Sequence, residues 1–166
     1  MDADAKKTAL RMIPYAIYVL TSEADNGVAA ATVNWVTQVS FQPPLLVAAI
    51  KADSHTHAIV EHRRAFVLNI LGKGQGDLAF TFFKATQHDG KTISGQPYHR
   101  GANGLPILDV AHAMLECTVT DIVKRGDHSV FVAEVTEAAV LHPPKGRPDD
   151  AALAMRELGD KTFYGG

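Results

Sequence analysis

Apolar and polar residues fall along this chain in short blocks of strand length, separated by turn signals. Ile13 to Thr21 is rich in Ile, Val and Tyr and predicts a strand. Asp25-Asn26-Gly27 is a turn signature, and Val28 to Trp35 returns as a second strand. Leu45 to Ile50 and Ala65 to Leu71 are apolar on both faces and predict buried strands. Leu115 to Val123 alternates, with Leu115, Cys117 and Val119 on one face. Gly126-Asp127 then predicts a hairpin to a long strand from Ser129 to Leu141, which Pro143-Pro144 stops. Helical patterns are few: residues 2–11, His55–Arg63 behind Ser54 as N-cap, Asp77–Lys84 and Asp149–Leu158. Residues 85–104 form a long polar excursion, a kind of loop that often carries function, and an aromatic tail runs from Lys161 to Gly166.

Strands dominate, and helices do not alternate regularly with them. That argues against a doubly wound parallel sheet. It predicts a mainly β fold, an antiparallel barrel with helical insertions.

Composition narrows the function classes. The chain has 166 residues, a length that predicts one domain over residues 1–166. Sixteen basic residues nearly balance 18 acidic ones, so there is no electrostatic footprint for nucleic acid. The single cysteine, Cys117, excludes an internal disulfide and a thiolate metal cluster. The N-terminus lacks the apolar core of a signal peptide, and the run Leu45–Ile50 is too short to cross a bilayer. A cytoplasmic protein without a membrane partner is expected.

The chemistry concentrates in Thr32-Val33-Asn34-Trp35-Val36-Thr37-Gln38-Val39-Ser40-Phe41-Gln42-Pro43-Pro44. This segment starts as a strand and ends in a double proline, with amides, hydroxyls and the only tryptophan between. Such a stretch suits a flat, polar-edged ligand better than a plain core. Gly72-Lys73-Gly74-Gln75-Gly76 lies between a strand and a helix, but its spacing fits neither a dinucleotide fingerprint nor a P-loop. His57 and His62 are five apart, off a shared helical face, so no metal site is expected. Asp53-Ser54-His55-Thr56 stands at a helix start, where free N–H groups, hydroxyls and an imidazole suit a phosphate. A simple N-cap explains the same residues equally well. Asp127-His128-Ser129 sits at a turn and is too local for a catalytic triad, so His128 is either a site residue or an exposed turn histidine.

In order, these pieces resemble the flavin reductase-like family of FMN-binding split β-barrels. The resemblance spans roughly residues 11–142 and rests on five features. They are the strand Tyr15–Leu20 before a Gly turn, Ser40-Phe41-x-Pro43-Pro44 followed by Leu45–Ile50, the Ser54-His55-Thr56 helix start, Phe66-Val67-Leu68-Asn69-Ile70-Leu71, and the Gly126-Asp127-His128 strand. The Asn34-Trp35-x-Thr37-Gln38 version is similar to the branch with flavoredoxin-type proteins and diflavin-protein reductase modules. One position departs from the pattern: Ala133 stands where the family commonly has Gly.

The resemblance implies a homodimer of split barrels with FMN near the dimer interface. It also implies NADH or NADPH as co-substrate, and a free flavin, a ferric complex or a partner monooxygenase as acceptor. Thr32, Asn34, Trp35, Thr37, Gln38, Val39 and Ser40 would line the flavin ring and ribityl chain. Ser54, His55 and Thr56 would hold the phosphate, with Lys84 as a further partner, and His128 would take the catalytic, nicotinamide-facing position. The activity implied is NAD(P)H:flavin oxidoreduction. A flavoredoxin-like electron carrier and an oxidase of the pyridoxamine-phosphate type are the alternatives.

Overall fold

The computed structural model describes residues 1–165; the last residue of the expected tail, Gly166, lies outside them. A first helix, α1 (Ala3–Arg11), is capped by Asp2, whose carboxylate accepts the Ala5 N–H at 2.6 Å. It buries none of its residues and touches the C-terminal tail through Arg11. The hairpin β1 (Tyr18–Ala24) and β2 (Gly27–Val33) follows, turning at Gly27 with φ of 130°, a conformation that favours glycine. Then come β3 (Val36–Ser40), β4 (Leu45–Lys51), α2 (His55–Arg63), β5 (Ala65–Ile70) and α3 (Gly76–Thr81). Three short strands, β6 (Thr92–Ile93), β7 (Gln96–Arg100) and β8 (Pro106–Leu108), precede the long hairpin β9 (Ala113–Lys124) and β10 (His128–Val140). A helical turn, α4 (Pro148–Ala151), and a 3-10 turn, Met155–Leu158, end the described elements.

Seven strands form one antiparallel sheet in the order β2-β1-β5-β9-β10-β4-β3. Irregularities in the β9–β10 ladder, at Val132/Ala133 and Val135/Glu137, bend the two longest strands and help the sheet to curl. Ala133, the departure from the family pattern, is fully buried at the first of these shifts. Neighbouring residues on one strand point to opposite faces, so β1 feeds two cores. Leu20 joins Leu46, Phe66, Leu68 and Phe131, while Val19 joins Leu71, Phe82, Leu108 and Leu153. The second core is closed by α3, the excursion and the C-terminal segment. Among the described residues no helix is long and apolar enough to cross a membrane.

Four expected boundaries move. The first strand begins at Tyr18, not Ile13, because Pro14 has no N–H and the chain enters through a lone bridge between Ala16 and Ala154. The second ends at Val33, and Asn34-Trp35 carry the chain across to the edge strand β3. The polar excursion is not irregular: β6, β7 and β8 pair as a small sheet. The helix expected over Asp149–Leu158 is broken. Ala152 and Ala154 bridge to Gly72 and Ala16, and Leu153 donates its N–H to Leu71 O and buries its side chain. Tertiary pairing overrides a modest helical propensity there.

Candidate functional site

The site grows from the start of α2. Ser54 has extended backbone angles; its hydroxyl accepts the His57 N–H at 3.1 Å and donates to Lys51 O at 2.7 Å. The first-turn N–H groups of His55 and Thr56 have no intrahelical acceptor by helix geometry, and the helix dipole adds partial positive charge there. The helix is anchored through buried Thr56, His57, Ile59 and Val60, and closes at Arg64 in the left-handed region. Its N-terminus is therefore held at a fixed point beside the end of β4.

The ladder between β10 and β4 sets His128 opposite Lys51. Together with the end of β2 and the start of α2 they enclose a cavity of about 130 Å³ lined by Thr32, Asn34, Lys51, Ser54, Thr56 and His128. Phe83, Met155 and Tyr164 complete its wall.

His128 is bonded at both ring nitrogens: Nδ1 lies 2.9 Å from Asp127 Oδ1 and Nε2 lies 2.7 Å from the Tyr164 hydroxyl. The bond to His128 holds the Asp127 carboxyl below its ordinary range, and partial burial pushes the Tyr164 phenol up. Trp35 packs against both, with ring centroids 4.7 Å from His128 and 5.3 Å from Tyr164. Among the described residues the buried indole Nε1 has no hydrogen-bond partner. Lys51 pairs with Asp53 at 3.0 Å, which raises the ammonium's pKa and lowers the carboxyl's.

The structure thus brings Thr32, Asn34, Ser54, Thr56 and His128 to one cavity, with Trp35 tilted against the last. The Thr32 hydroxyl already donates to Ala79 O at 2.7 Å and ties α3 to β2. His55 and Lys84 are exposed and do not line the cavity. Thr37, Gln38, Val39 and Ser40 lie on the edge strand β3. Thr37 and Gln38 border a second cavity of about 350 Å³, walled by apolar residues such as Val36, Leu46, Leu68 and Leu115.

Lys51 and Met155 carry no sequence signal for the site, and the aromatics Phe83 and Tyr164 read from sequence as core or interface residues by default, with stacking on a ligand ring possible for one of them. Lys51 ends an apolar strand and Tyr164 belongs to an aromatic tail, but only long-range pairing places them at the cavity.

Other motifs settle into structural roles. His57 Nε2 is 2.9 Å from Ser129 Oγ, and its Nδ1 is 3.6 Å from Glu61. Among the described residues no three His, Cys, Asp or Glu side chains are grouped to hold a metal ion. In the glycine-rich turn the Gly72 N–H donates to Gln75 Oε1 at 2.8 Å, and a Cβ on Gly72 would run into the His112 ring. Close packing accounts for that glycine.

Residues 10–156 match the family model described as "Flavin reductase like domain". The reductase component of the 4-nitrophenol 4-monooxygenase/4-nitrocatechol 2-monooxygenase of Rhodococcus opacus is 36% identical over 122 residues, 74% of this chain and 64% of that protein. The FMN reductase (NADH) RutF of Pseudomonas syringae is 29% identical over 133 residues, 80% of this chain and 74% of that protein. A diflavin flavoprotein of Synechocystis also matches, but the chain spans only 24% of its length. Among solved structures, the styrene monooxygenase flavin reductase of Pseudomonas putida S12 superposes with a TM-score of 0.71 at 28% identity, covering 86% of this chain and 89% of that one. The sheet order, the α2 N-terminus beside His128 and these matches lead to one conclusion: the chain belongs to the flavin reductase-like family.

Proposed function

We propose that this chain, as one domain over residues 1–166, is an NAD(P)H-dependent flavin reductase that holds FMN at the cavity between β2, β4, α2 and His128. The observation that carries the proposal is the convergence of a helix N-terminus, two hydroxyls and a lysine with an amide, an indole and an imidazole. The first group suits a phosphate. The second suits a planar ring with polar edges.

The donor set fits FMN. Ser54, Thr56 and the first-turn N–H groups of α2 would hold the phosphate, with Lys51 adding charge. Asn34 and the Trp35 Nε1 donor would serve the ring's polar edge. FMN, when bound, supplies hydride acceptance from a nicotinamide and electron delivery to an acceptor. This chain's residues bind, orient and exclude water. His128, tethered to Asp127, offers its Nε2 to whatever stands at the open side of the site. The names of the relatives favour NADH and a partner oxygenase that consumes the reduced flavin. The reduced nicotinamide pool favours a cytoplasmic setting.

The second cavity supports a homodimer. Its apolar walls open beside edge strand β3, where Phe41 is 92% and Val39 52% exposed. A second copy covering this face would bury them and bring Thr37–Ser40, which the resemblance assigns to the flavin ring and ribityl chain, close to the interface near which it places FMN. Sedimentation of the purified chain tests this: a monomer at micromolar concentration would remove the dimer.

The visible spectrum tests the main reading. Purified or FMN-reconstituted protein should show bound-flavin absorbance, and anaerobic NADH or NADPH should bleach it within seconds. Failure to retain FMN rejects the reading. Retention of FMN without bleaching by either nicotinamide would leave an electron carrier.

A further inference from the structure

The chain's own tail fills part of the site. Tyr164 places its hydroxyl 2.7 Å from His128 Nε2, its ring 5.3 Å from Trp35, and its carbonyl 3.4 Å from Asn34 Nδ2. All three partners are residues on which the flavin reductase reading depends. The tail is held in place by Arg11 from the end of α1. The Arg11 Nε donates to Gly165 O at 3.3 Å, and the guanidinium sits 4.4 Å from the centroid of the Phe163 ring.

These holds are weak and largely exposed. Phe163 is 50% and Tyr164 43% exposed, so the tail gives up little buried area when it leaves. Gly159, with φ of 114°, stands between the 3-10 turn and the tail, where a glycine can absorb a large change in backbone direction. Tyr164 and Met155 also form the wall between the 130 Å³ cavity and a neighbouring one of about 280 Å³. With Tyr164 swung away the two become one cleft. Its volume would then reach the range of about 300–1,000 Å³ usual for small-molecule sites. With Tyr164 in place, neither does.

The shape of the space identifies what belongs there. Tyr164 fills it with one six-membered ring carrying one hydrogen-bonding group aimed at an imidazole. A nicotinamide is also one six-membered ring, and its carboxamide can donate to or accept from His128. A tricyclic flavin ring is too large to exchange with a phenol one for one.

We propose that Tyr164 is a gate residue: its ring occupies the nicotinamide subsite on Trp35 and His128, and the tail 161–165 must swing away before the co-substrate can stack. This rests on the flavin reductase reading and adds a step to it, the competition of a tethered side chain with the co-substrate.

The test compares FMN-loaded wild type with Tyr164→Ala, Tyr164→Phe and a chain ending at Asp160. Each is titrated with oxidised NAD or NADP, which cannot reduce the flavin. Binding is followed by the fluorescence of Trp35, the only tryptophan. Removing the ring or the tail should tighten nucleotide binding about tenfold, the effect of losing about 1.4 kcal/mol of competing contact. FMN affinity should rise by less than nucleotide affinity does, because the departing tail also frees the Asn34 amide. Tyr164→Phe keeps the ring and loses only the His128 bond, so it should tighten binding about two- to threefold; it also serves as the test if the other variants fold poorly. Unchanged or weaker nucleotide binding in Tyr164→Ala, with FMN retained, overturns the gate alone. Tighter FMN binding with unchanged nucleotide binding also overturns it, because Tyr164 would then stand in the flavin's place. Loss of FMN from wild type as well would reject the reductase reading and the gate with it.

Discussion

The imidazole of His57 lies 2.9 Å from the hydroxyl of Ser129, and both side chains are closed from solvent. This bond ties the third residue of α2 to the second residue of β10. The helix start that offers Ser54 and Thr56 is thereby registered against the strand that offers His128.

His57 packs edge-on against Phe131, and burial pulls its pKa below the ordinary value of 6.5, outweighing the opposing charge of Glu61. The neutral ring is therefore the folded form. The unfolded chain takes up its proton first, so stability is full above about pH 6.5 and falls as pH drops through the lowered folded value. Thermal melts between pH 8 and pH 5 should show this loss in wild type and a flatter profile in His57→Gln, which can still bond Ser129. His57→Ala should cost about 1–3 kcal/mol above pH 6.5, because Ser129 is left unpaired, and less toward pH 5, where wild type has lost part of the same stability. Identical pH profiles for wild type and His57→Gln would exclude His57 as the titrating group.

The helix N-terminus yields a prediction with a built-in control. Ser54→Ala removes the N-cap and should lower stability by about 1 kcal/mol. Ser54→Ala combined with Thr56→Ala should weaken FMN retention about tenfold or more, since the cap that fixes the helix start and the Thr56 hydroxyl beside the charged group are both lost. Riboflavin has no phosphate, so its affinity should hardly move. Equal losses for FMN and riboflavin would show that these residues do not hold the phosphate.

The sequence showed the barrel wherever local pattern and tertiary demand agree. Ala65–Leu71 read as a buried strand because both of its faces are covered: Phe66 and Leu68 face one core, Val67 and Leu71 the packing on the other side. Leu45–Ile50 buries one face only, through Leu46, Ala48 and Ile50, while Leu45, Val47 and Ala49 on the other face stay half-buried. Ser54 read as a cap because capping is local. Pattern failed where long-range pairing decides. Ala152–Ala154 looks helical by composition but is drawn out by bridges to Gly72 and Ala16. In and just after the excursion lie strands of two to five residues, too short to show a period, and the side chains of Gln96–Arg100 are mostly polar. The site followed the same division. Asn34, Ser54 and His128 belong to ordered local motifs, whereas Tyr164 and Lys51 reach the cavity through contacts 36 residues along the chain and through cross-strand register.

Asn69 should be the least replaceable polar residue of the fold. It is fully buried on β5; its amide donates to Val19 O and Thr21 Oγ1, each at 3.0 Å, and its oxygen accepts the Leu108 N–H at 2.8 Å. One side chain thus joins β1, β5 and the excursion strand β8. Asn69→Leu fills similar space but leaves these groups unpaired, and should cost about 2–4 kcal/mol. Urea unfolding is the measurement; a loss below about 0.5 kcal/mol would mean the network is replaced by water.

His128 separates binding from chemistry. Its ring sits between Asp127 and the Tyr164 hydroxyl, in contact with Trp35, while the groups proposed to hold the phosphate belong to a different element. Removing the imidazole should therefore spare FMN affinity and impair the encounter with the nicotinamide. In His128→Ala, anaerobic stopped-flow reduction by NADH should slow about tenfold, with the FMN dissociation constant within about threefold of wild type. His128→Asn keeps a donor near the Nδ1 position without an acidic or basic group. Recovery of most of the rate in that variant would assign His128 to positioning by hydrogen bonding. A rate as low as the alanine variant would assign it to proton exchange at Nε2. Proportional loss of rate and FMN affinity in both variants would show that His128 only supports the cavity wall through Trp35.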